Sequence, residues 1–136
     1  MGIVVTVRDV MTKDIIAVEK TDPVIKAIDL MVKNEIGSVV VTENGKPVGI
    51  LTERDIMKRV CPQELCSRKV TVGEVMSHPL VTIEADARLG EAALLMLEKN
   101  IRRLLVVDKG QVVGIITQGD VMRGTLDTFM ALSMIR

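Results

Sequence analysis

The stretch Gly49-Ile50-Leu51-Thr52-Glu53-Arg54-Asp55 occurs a second time in the chain, as Gly114-Ile115-Ile116-Thr117-Gln118-Gly119-Asp120. The two stretches are 65 positions apart, and the same shift aligns residues 7–58 with residues 72–123 without a gap. Matching apolar, glycine and acidic positions recur along the whole alignment. The chain therefore contains two copies of one sequence repeat, and we expect both repeats to fold in the same way.

Apolar periodicity and turn residues predict the order strand, helix, strand, strand, helix in each repeat. A tight hairpin is predicted at Asn44-Gly45, because both positions of such a turn need a positive φ. The first repeat predicts a strand at 15–18, a helix from a cap at Thr21 or Asp22 to about residue 34 with Pro23 in its first turn, strands at 38–42 and 48–51, and a helix from 52 to about 60. The second repeat predicts strands at 80–83, 104–107 and 112–116, a helix at 89–100 capped by Asp86, and a helix from 117.

These elements give an α+β fold of two domains, at residues 1–66 and 67–136. A repeat of roughly 60 residues buries only about 60% of its unfolded surface and is marginally stable alone, so we expect the two to form a pair. The second domain ends in a helical tail, which Gly124 is expected to interrupt.

Composition argues against several classes of function. The 18 basic and 18 acidic residues balance, and Phe129 is the single aromatic residue. Both facts argue against a nucleic-acid binder, which normally has a basic surface and stacking side chains. The sequence has no apolar run that could span a membrane, no signal-peptide pattern and no catalytic signature, so we expect a non-catalytic cytoplasmic protein. Cys61 and Cys66 are interpreted as ordinary thiols, with a disulfide or half of a shared metal site as the alternatives.

The repeated motif allows two interpretations. Thr-x-x-Asp at the start of a helix is typical of a capping box, in which the two residues satisfy each other's backbone groups. The motif also lies where a strand is followed by a helix, so that free N–H groups and the positive end of the helix can receive an anion. A carboxylate has about four acceptor positions, so capping and ligand binding are compatible.

Two gapless repeats of this order, each ending in Gly-hydrophobic-x-Thr-x-x-Asp, resemble a tandem pair of CBS domains, the Bateman module. The openings Val10-Met11-Thr12 and Val75-Met76-Ser77 also fit that family. The resemblance implies two domains packed as a pseudo-two-fold pair, with clefts between them that bind adenosine-containing ligands such as AMP, ADP, ATP, S-adenosylmethionine or NAD. It implies a regulatory module that reports occupancy to a partner not encoded in this chain. The alternatives are a scaffold with empty clefts and a nucleic-acid-binding CBS protein.

The resemblance also implies roles for individual residues. Asp55 and Asp120 would hold the ribose hydroxyls, and Thr52 and Thr117 would contact phosphate. The adenine would lie against the residues around the first strand of each repeat, which are Ile16, Ala17, Val81 and Thr82. The candidate phosphate contacts are Arg102, Arg103 and Arg54, although adjacent arginines are more often solvated. Neither a metal site nor a catalytic residue is expected.

Small CBS pairs generally form dimers, so the resemblance further implies a homodimer. The faces expected to form the contact are those of the two motif helices, and they consist of Ile56, Val60, Val121 and Met122.

Overall fold

The structure is a computed structural model, and it describes residues 5–61, 69–78 and 80–134. In chain order the elements are α1 (Val7–Val10), β1 (Ala17–Glu19), α2 (Val24–Asn34), β2 (Ser38–Glu43), β3 (Lys46–Thr52), α3 (Glu53–Asp55), a π-helical turn (Ile56–Val60), α4 (Val72–Val75), β4 (Thr82–Glu84), α5 (Leu89–Lys99), β5 (Arg103–Asp108), β6 (Gln111–Thr117) and α6 (Gln118–Ser133). The α+β class and the repeated order of strands and helices are confirmed.

These elements belong to two compact units. The first-sheet unit comprises Ile15–Leu80, and the second-sheet unit comprises Met1–Asp14 together with Val81–Arg136. The first helix of the chain, α1, therefore belongs with the sheet of the second repeat, and α4 belongs with the sheet of the first. The predicted domain boundary between residues 66 and 67 lies outside the described residues.

Each unit contains a three-stranded sheet of the same topology, in the order β1-β2-β3 and β4-β5-β6. The first strand is parallel to the second, and the second is antiparallel to the third. The antiparallel pairs are joined by turns whose two central residues have positive φ, at Asn44-Gly45 (52° and 80°) and at Lys109-Gly110 (52° and 77°). The hairpin predicted from Asn-Gly is confirmed.

The buried apolar residues form two clusters, one in each unit, built almost entirely from valine, leucine, isoleucine, alanine and methionine. The central strands β2 and β5 contribute most because both of their faces are covered, and Val39, Val40 and Val41 are all buried, as are Leu104, Leu105 and Val106. The sequences of these strands do not alternate between apolar and polar residues, and they are short continuous apolar runs.

The N-terminal caps of the two long helices differ from the prediction. Pro23 and Arg88 occupy the N-cap positions, without a side-chain cap. The first N–H of α2 donates instead to the carbonyl of Val70, and the first N–H of α5 donates to the carbonyl of Val5. The predicted caps at Thr21, Asp22 and Asp86 were wrong, because backbone carbonyls of the two lead segments already satisfy the helix ends. The lead segments are residues 5–12, which include α1, and residues 70–77, which include α4.

The C-terminal ends of the two long helices follow the prediction, because α2 ends at Asn34 and α5 ends at Lys99. Glu35 and Asn100 end α2 and α5 in the left-handed conformation, with φ of 52° and 53°. The predicted interruption at Gly124 was wrong as well, because α6 is one continuous helix. A Cβ at Gly124 would lie 2.8 Å from Leu89 Cδ2 and 2.9 Å from Val10 Cγ1, so the glycine allows this close packing.

The π-helical turn changes which residues of the first motif helix face outward. In this turn the N–H of Cys61 donates to the carbonyl of Ile56, five residues back, so Asp55 and Val60 share the inward face. Val60 is fully buried, and it cannot contribute to the expected dimer contact. The aligned residues Met57 and Met122 are exposed instead, at 70% and 67%, and α6 exposes further apolar residues toward its C-terminal end.

Candidate ligand-binding corners

Each sheet ends in a strand-to-helix corner that carries the repeated motif. The first corner comprises Thr52–Asp55, where β3 leads into α3, and the second comprises Thr117–Asp120, where β6 leads into α6. Strand pairing brings the beginning of the central strand beside each corner, because Ser38 pairs with Thr52 and Arg103 pairs with Thr117. The beginning of the parallel edge strand lies at the same end of the sheet.

Both corners form a reciprocal capping box. At the first corner the N–H of Thr52 donates to Asp55 Oδ2 at 3.0 Å, and the N–H of Asp55 donates to Thr52 Oγ1 at 3.2 Å. At the second corner the N–H of Thr117 donates to Asp120 Oδ2 at 2.9 Å, and the N–H of Asp120 donates to Thr117 Oγ1 at 3.1 Å. The capping interpretation is therefore confirmed, and it occupies one carboxylate oxygen of each aspartate.

The second carboxylate oxygen is outside the capping box in both repeats. Ser77 Oγ donates to Asp55 Oδ1 at 2.7 Å, and Arg123 Nη2 donates to Asp120 Oδ1. The two aspartates are the buried charged side chains among the described residues, at 6% and 2% exposure. Each corner thus keeps one carboxylate oxygen bonded to a side chain that can rotate away.

The sequence pattern alone does not distinguish these corners from ordinary caps. Thr6 and Asp9 have the same Thr-x-x-Asp spacing, and Asp9 Oδ2 accepts from the N–H of Thr6 at 2.9 Å. The hydroxyl of Thr6 also donates to Asp9 Oδ2, at 3.0 Å. The bond from the backbone N–H, and to a smaller extent the bond from the hydroxyl, lower the pKa of Asp9 below its ordinary value. Asp9 is exposed, whereas the motif aspartates are buried. Burial, which the spacing does not encode, separates the two kinds of box.

Two hydroxyl residues at the corners were missed as site residues. Thr12 Oγ1 donates to Asp120 Oδ2 at 3.3 Å, and its repeat partner Ser77 donates to Asp55. Thr12 follows α1 and Ser77 follows α4, so each hydroxyl reaches the motif aspartate of the other repeat within one compact unit. The signal was present in the sequence, since a hydroxyl occurs at both aligned positions.

The motif glycines have a structural explanation. Thr12 pairs with Ile115 and Ser77 pairs with Ile50 in isolated antiparallel bridges, which bring the lead segments onto β6 and β3. A Cβ at Gly114 would lie 2.7 Å from the carbonyl oxygen of Thr12, and a Cβ at Gly49 would lie 3.0 Å from that of Ser77. The glycines are therefore required for the close approach of the chain's own backbone.

The residues predicted to surround the adenine lie at the beginning of each edge strand. Ile16 and Val81 are half-buried, and their carbonyls accept from the N–H groups of Val40 and Leu105 at 2.9 and 3.1 Å. Ala17 and Thr82 begin β1 and β4 and are exposed. The predicted strands at 15–18 and 80–83 were about two residues too early. The four predicted adenine contacts are therefore the first residue of each edge strand and the residue before it.

The three candidate arginines differ in their relation to the corners. Arg103 is half-buried and begins β5 directly opposite Thr117, while Arg102 precedes the strand and is exposed. Residues opposite each other in an antiparallel pair have Cβ atoms roughly 5 Å apart, so Arg103 is adjacent to the second corner. Arg54 is exposed on the first corner. Over residues 5–61, 69–78 and 80–134, none of the three side chains forms an ion pair.

The rest of the described structure bears on metal, membrane, cysteine and cavity sites. The described residues contain no group of three or more potential ligands that could hold a metal ion, and none of their helices has the length and hydropathy needed to cross a membrane. Cys61 is exposed, and Cys66 lies outside the described residues. A cavity of about 320 Å³ in the second-sheet unit, between α5 and α6, is not lined by a motif residue.

A model of the CBS domain family matches residues 7–61 and residues 72–127. The chain belongs to the CBS-domain family. The two matched segments coincide with the two sequence repeats, so the chain contains a tandem pair of CBS domains, as the motif resemblance implied.

Related sequences occur in archaea and bacteria. An uncharacterized protein of Methanopyrus kandleri is 38% identical over 121 residues, which cover 88% of this chain and 62% of that protein. An uncharacterized protein of Methanocaldococcus jannaschii is 35% identical over 137 residues, covering 89% of this chain and 32% of its own length. The CBS domain-containing protein YhcV of Bacillus subtilis is 36% identical over 115 residues, covering 85% of this chain and 81% of YhcV. The chain thus spans less than two thirds of the two archaeal relatives.

Solved structures of CBS-domain proteins have the same fold. A putative signal-transduction protein with CBS domains from Burkholderia ambifaria is 34% identical with a TM-score of 0.79, covering 85% of both chains. The CBS domain pair of protein MJ0100, in complex with 5′-methylthioadenosine and S-adenosyl-L-methionine, is 29% identical with a TM-score of 0.80, covering 92% of this chain and 98% of that one. A hexameric CBS-CP12 protein from bloom-forming cyanobacteria is 25% identical with a TM-score of 0.83, covering 90% of this chain and 73% of that one.

Proposed function

We propose that this CBS pair is a non-catalytic regulatory module that binds an adenosine-containing ligand at its motif corners and transmits occupancy to a partner protein. The observation that carries the proposal is a buried carboxylate, present in both repeats, with one oxygen outside its capping box. A carboxylate that served only as a helix cap would not need burial, as exposed Asp9 demonstrates.

The chemistry of the corners suits a ribose. A carboxylate oxygen accepts hydrogen bonds only, and the two hydroxyls of a cis-diol are donors, so Oδ1 of Asp55 or Asp120 can receive a ribose hydroxyl. Ser77 is compatible with such a ligand at the first corner, because a hydroxyl that donates to Asp55 still accepts from another group. Hydrogen bonds to an ionised acceptor are roughly twice as strong as neutral ones.

The second corner also offers groups for a phosphate. Gly119 is at the second position of α6, where an N–H group has no partner within the helix, and it has none among the described residues. Thr117 provides a half-buried hydroxyl near the N–H of Gly119. Arg103, the first residue of β5, pairs with Thr117. An anion placed there would be stabilised by the positive end of a 16-residue helix.

Similarity to a ligand-bound relative supports the class of ligand. The neighbour MJ0100, whose CBS pair covers 92% of this chain, was solved with two adenosyl compounds. We infer an adenosyl ligand for this chain as well, and AMP, ADP, ATP and S-adenosylmethionine are the candidates. Both the nucleotide and the regulated partner are proposals.

A second candidate function is that of a self-associating scaffold. It is favoured by an apolar stripe on the outward face of α6, formed by Met122, Leu126, Phe129 and Met130, which are 58–67% exposed. Exposed apolar patches of this kind mark interaction surfaces. Association of two copies is compatible with either function, and we expect a homodimer by size-exclusion chromatography with light scattering.

Thermal unfolding with a panel of AMP, ADP, ATP, S-adenosylmethionine and an RNA oligomer tests the proposal. An adenosyl ligand present at 100 times its dissociation constant is expected to add about 2.7 kcal/mol to the free energy of unfolding. The double variant Asp55→Asn/Asp120→Asn should lose this response. Asparagine keeps an oxygen for the capping N–H, but its amide group donates where the carboxylate accepted.

The matched control is Asp9→Asn, which alters a capping aspartate of the same spacing outside the corners. This variant should keep the full response to the ligand. A response that survives in the double variant, or that is absent from the natural sequence for every compound, would refute the ligand-binding proposal and favour the scaffold.

A further inference from the structure

The two corners hold their motif aspartates with different chemical groups. Asp120 Oδ1 accepts from the guanidinium of Arg123, one turn further along α6, whereas Asp55 Oδ1 accepts from the hydroxyl of Ser77. Arg123 is an exposed side chain, at 71%, and it reaches a carboxylate that is only 2% exposed. The second corner is therefore covered by a cation that solvent can reach.

At the first corner no cation of the described residues donates a hydrogen bond to the aspartate. The repeat partner of Arg123 is Lys58, which is exposed and lies on the π-helical turn. Arg59 is the nearest cation, with Nη1 3.8 Å from Asp55 Oδ1, but that nitrogen donates to the carbonyls of Val75 and Met76 at 3.3 and 2.8 Å. The first repeat thus directs its arginine to the lead segment, and its carboxylate keeps a hydroxyl partner.

The two partners differ in what they allow a ligand to do. A hydroxyl both donates and accepts, so Ser77 can remain in place and accept from a ribose hydroxyl. A guanidinium has donors only, and Arg123 covers Oδ1 of a carboxylate that is only 2% exposed, so a ribose hydroxyl reaches that oxygen by displacing Arg123. This displacement breaks the ion pair between Arg123 and Asp120, and the free energy of ligand binding must offset the loss of that pair.

We propose that Arg123 restricts the second corner, so that the ribose of an adenosyl ligand occupies the first corner at lower concentration than the second. The inference rests on the proposed function, and it assigns to Arg123 the control of binding order between two otherwise repeated sites. Arg123 acts through Asp120 and is a positioning residue. A module of this kind responds to ligand over two concentration ranges.

The test uses adenosine, because an uncharged probe removes any attraction between Arg123 and a phosphate. In the Asp55→Asn variant only the second corner retains its carboxylate, and calorimetric titration measures that corner alone. Adding Arg123→Met is expected to strengthen adenosine binding about fivefold, which corresponds to a partly exposed ion pair of about 1 kcal/mol. Adding Lys58→Met instead, the matched change in the first repeat, should leave the affinity unchanged.

Ionic strength provides a readout that a purely structural role would not affect. Salt screens an exposed ion pair, so raising the salt concentration should strengthen adenosine binding to Asp55→Asn and have no such effect once Arg123 is replaced. Circular dichroism of each variant verifies that the fold is retained. If one variant is unfolded, the salt dependence of Asp55→Asn alone decides the question.

The outcomes separate this inference from the function on which it rests. If the natural sequence binds adenosine but Arg123→Met leaves the second corner unchanged or weakens it, the restriction by Arg123 is refuted and the ligand-binding function stands. If the natural sequence binds neither adenosine nor any nucleotide of the panel, both are refuted.

Discussion

The substitution Gly114→Ala should destabilise the protein by displacing the lead segment from β6. The added Cβ would lie 2.7 Å from the carbonyl oxygen of Thr12 and 2.9 Å from Met11 Sδ, and the nearer atom belongs to the backbone. That carbonyl accepts from the N–H of Ile115 at 2.9 Å, and the N–H of Thr12 donates to the carbonyl of Ile115 at 2.8 Å. Relieving the clash weakens both hydrogen bonds.

The expected loss follows from these contacts. Two backbone hydrogen bonds contribute roughly 1–3 kcal/mol together. Overpacking a well-packed site costs about 1–3 kcal/mol. The lower backbone entropy of alanine in the unfolded chain offsets roughly 0.5–1 kcal/mol of this loss. We therefore expect the free energy of unfolding to fall by about 2 kcal/mol.

Urea unfolding followed by circular dichroism measures this change, because the chain contains no tryptophan or tyrosine for fluorescence. The control is Gly90→Ala in α5, where the new Cβ would have no atom within 4 Å. Alanine is the better helix former, so this control should gain up to about 1 kcal/mol. A Gly114→Ala protein within about 0.5 kcal/mol of the natural sequence would refute the proposed contact between the lead segment and β6.

Two further predictions concern the turns and the exposed capping box. Lys109 has a φ of 52° at the position where the first repeat has Asn44, and asparagine tolerates this left-handed conformation better than lysine. Lys109→Asn should therefore raise the free energy of unfolding by about 0.5 kcal/mol, and Asn44→Lys should lower it. Equal urea midpoints for the variants and the natural sequence would contradict this. Because the bonds from Thr6 lower the pKa of Asp9, the stability they contribute is complete at neutral pH and is lost as the pH falls through the unfolded and then the folded pKa. Urea midpoints of Asp9→Asn should therefore decline less than those of the natural sequence from about pH 6 to about pH 3, and parallel declines would count against the reasoning.

Local patterns in the sequence predicted the fold well where local physics decides it. The antiparallel hairpin at Asn44-Gly45 and the central strands with their continuous apolar runs follow from neighbouring residues. The repeat follows from the gapless alignment of the two halves of the chain. The wrong assignments concern the N-terminal caps of the two long helices, such as that of α2 at Pro23. At Pro23 the cap is the carbonyl of Val70, which is distant in the chain, and no local pattern encodes that contact.

The candidate site was predictable in its motif but not in its surroundings. The spacing of Thr52 and Asp55 indicated both capping and ligand binding, and it was equally present at Thr6 and Asp9. Burial distinguishes these boxes, and it depends on the lead segment that carries Ser77. The partners Ser77 and Thr12 are contributed by the other repeat, so a pattern read within one repeat does not reveal them.

The asymmetry between the repeats has a similar origin. The first motif helix contains a π-helical turn and the second is α-helical throughout, although the two align without a gap. The π-helical turn directs Arg59 toward carbonyl groups, and the regular helix directs Arg123 toward Asp120. Aligned sequence positions therefore do not occupy equivalent places in the two corners.

The central claim is that the two corners bind the sugar and phosphate of an adenosyl ligand. The most direct test measures the backbone amide chemical shifts during a ligand titration. A ¹⁵N-labelled sample would be titrated with ATP while the amide resonances are recorded. The largest changes are expected at residues 52–55 and 117–120, with those at 52–55 appearing at lower ATP concentration. Changes confined to other regions, such as the outward face of α6 around Phe129, or no change at saturating ATP, would contradict the account.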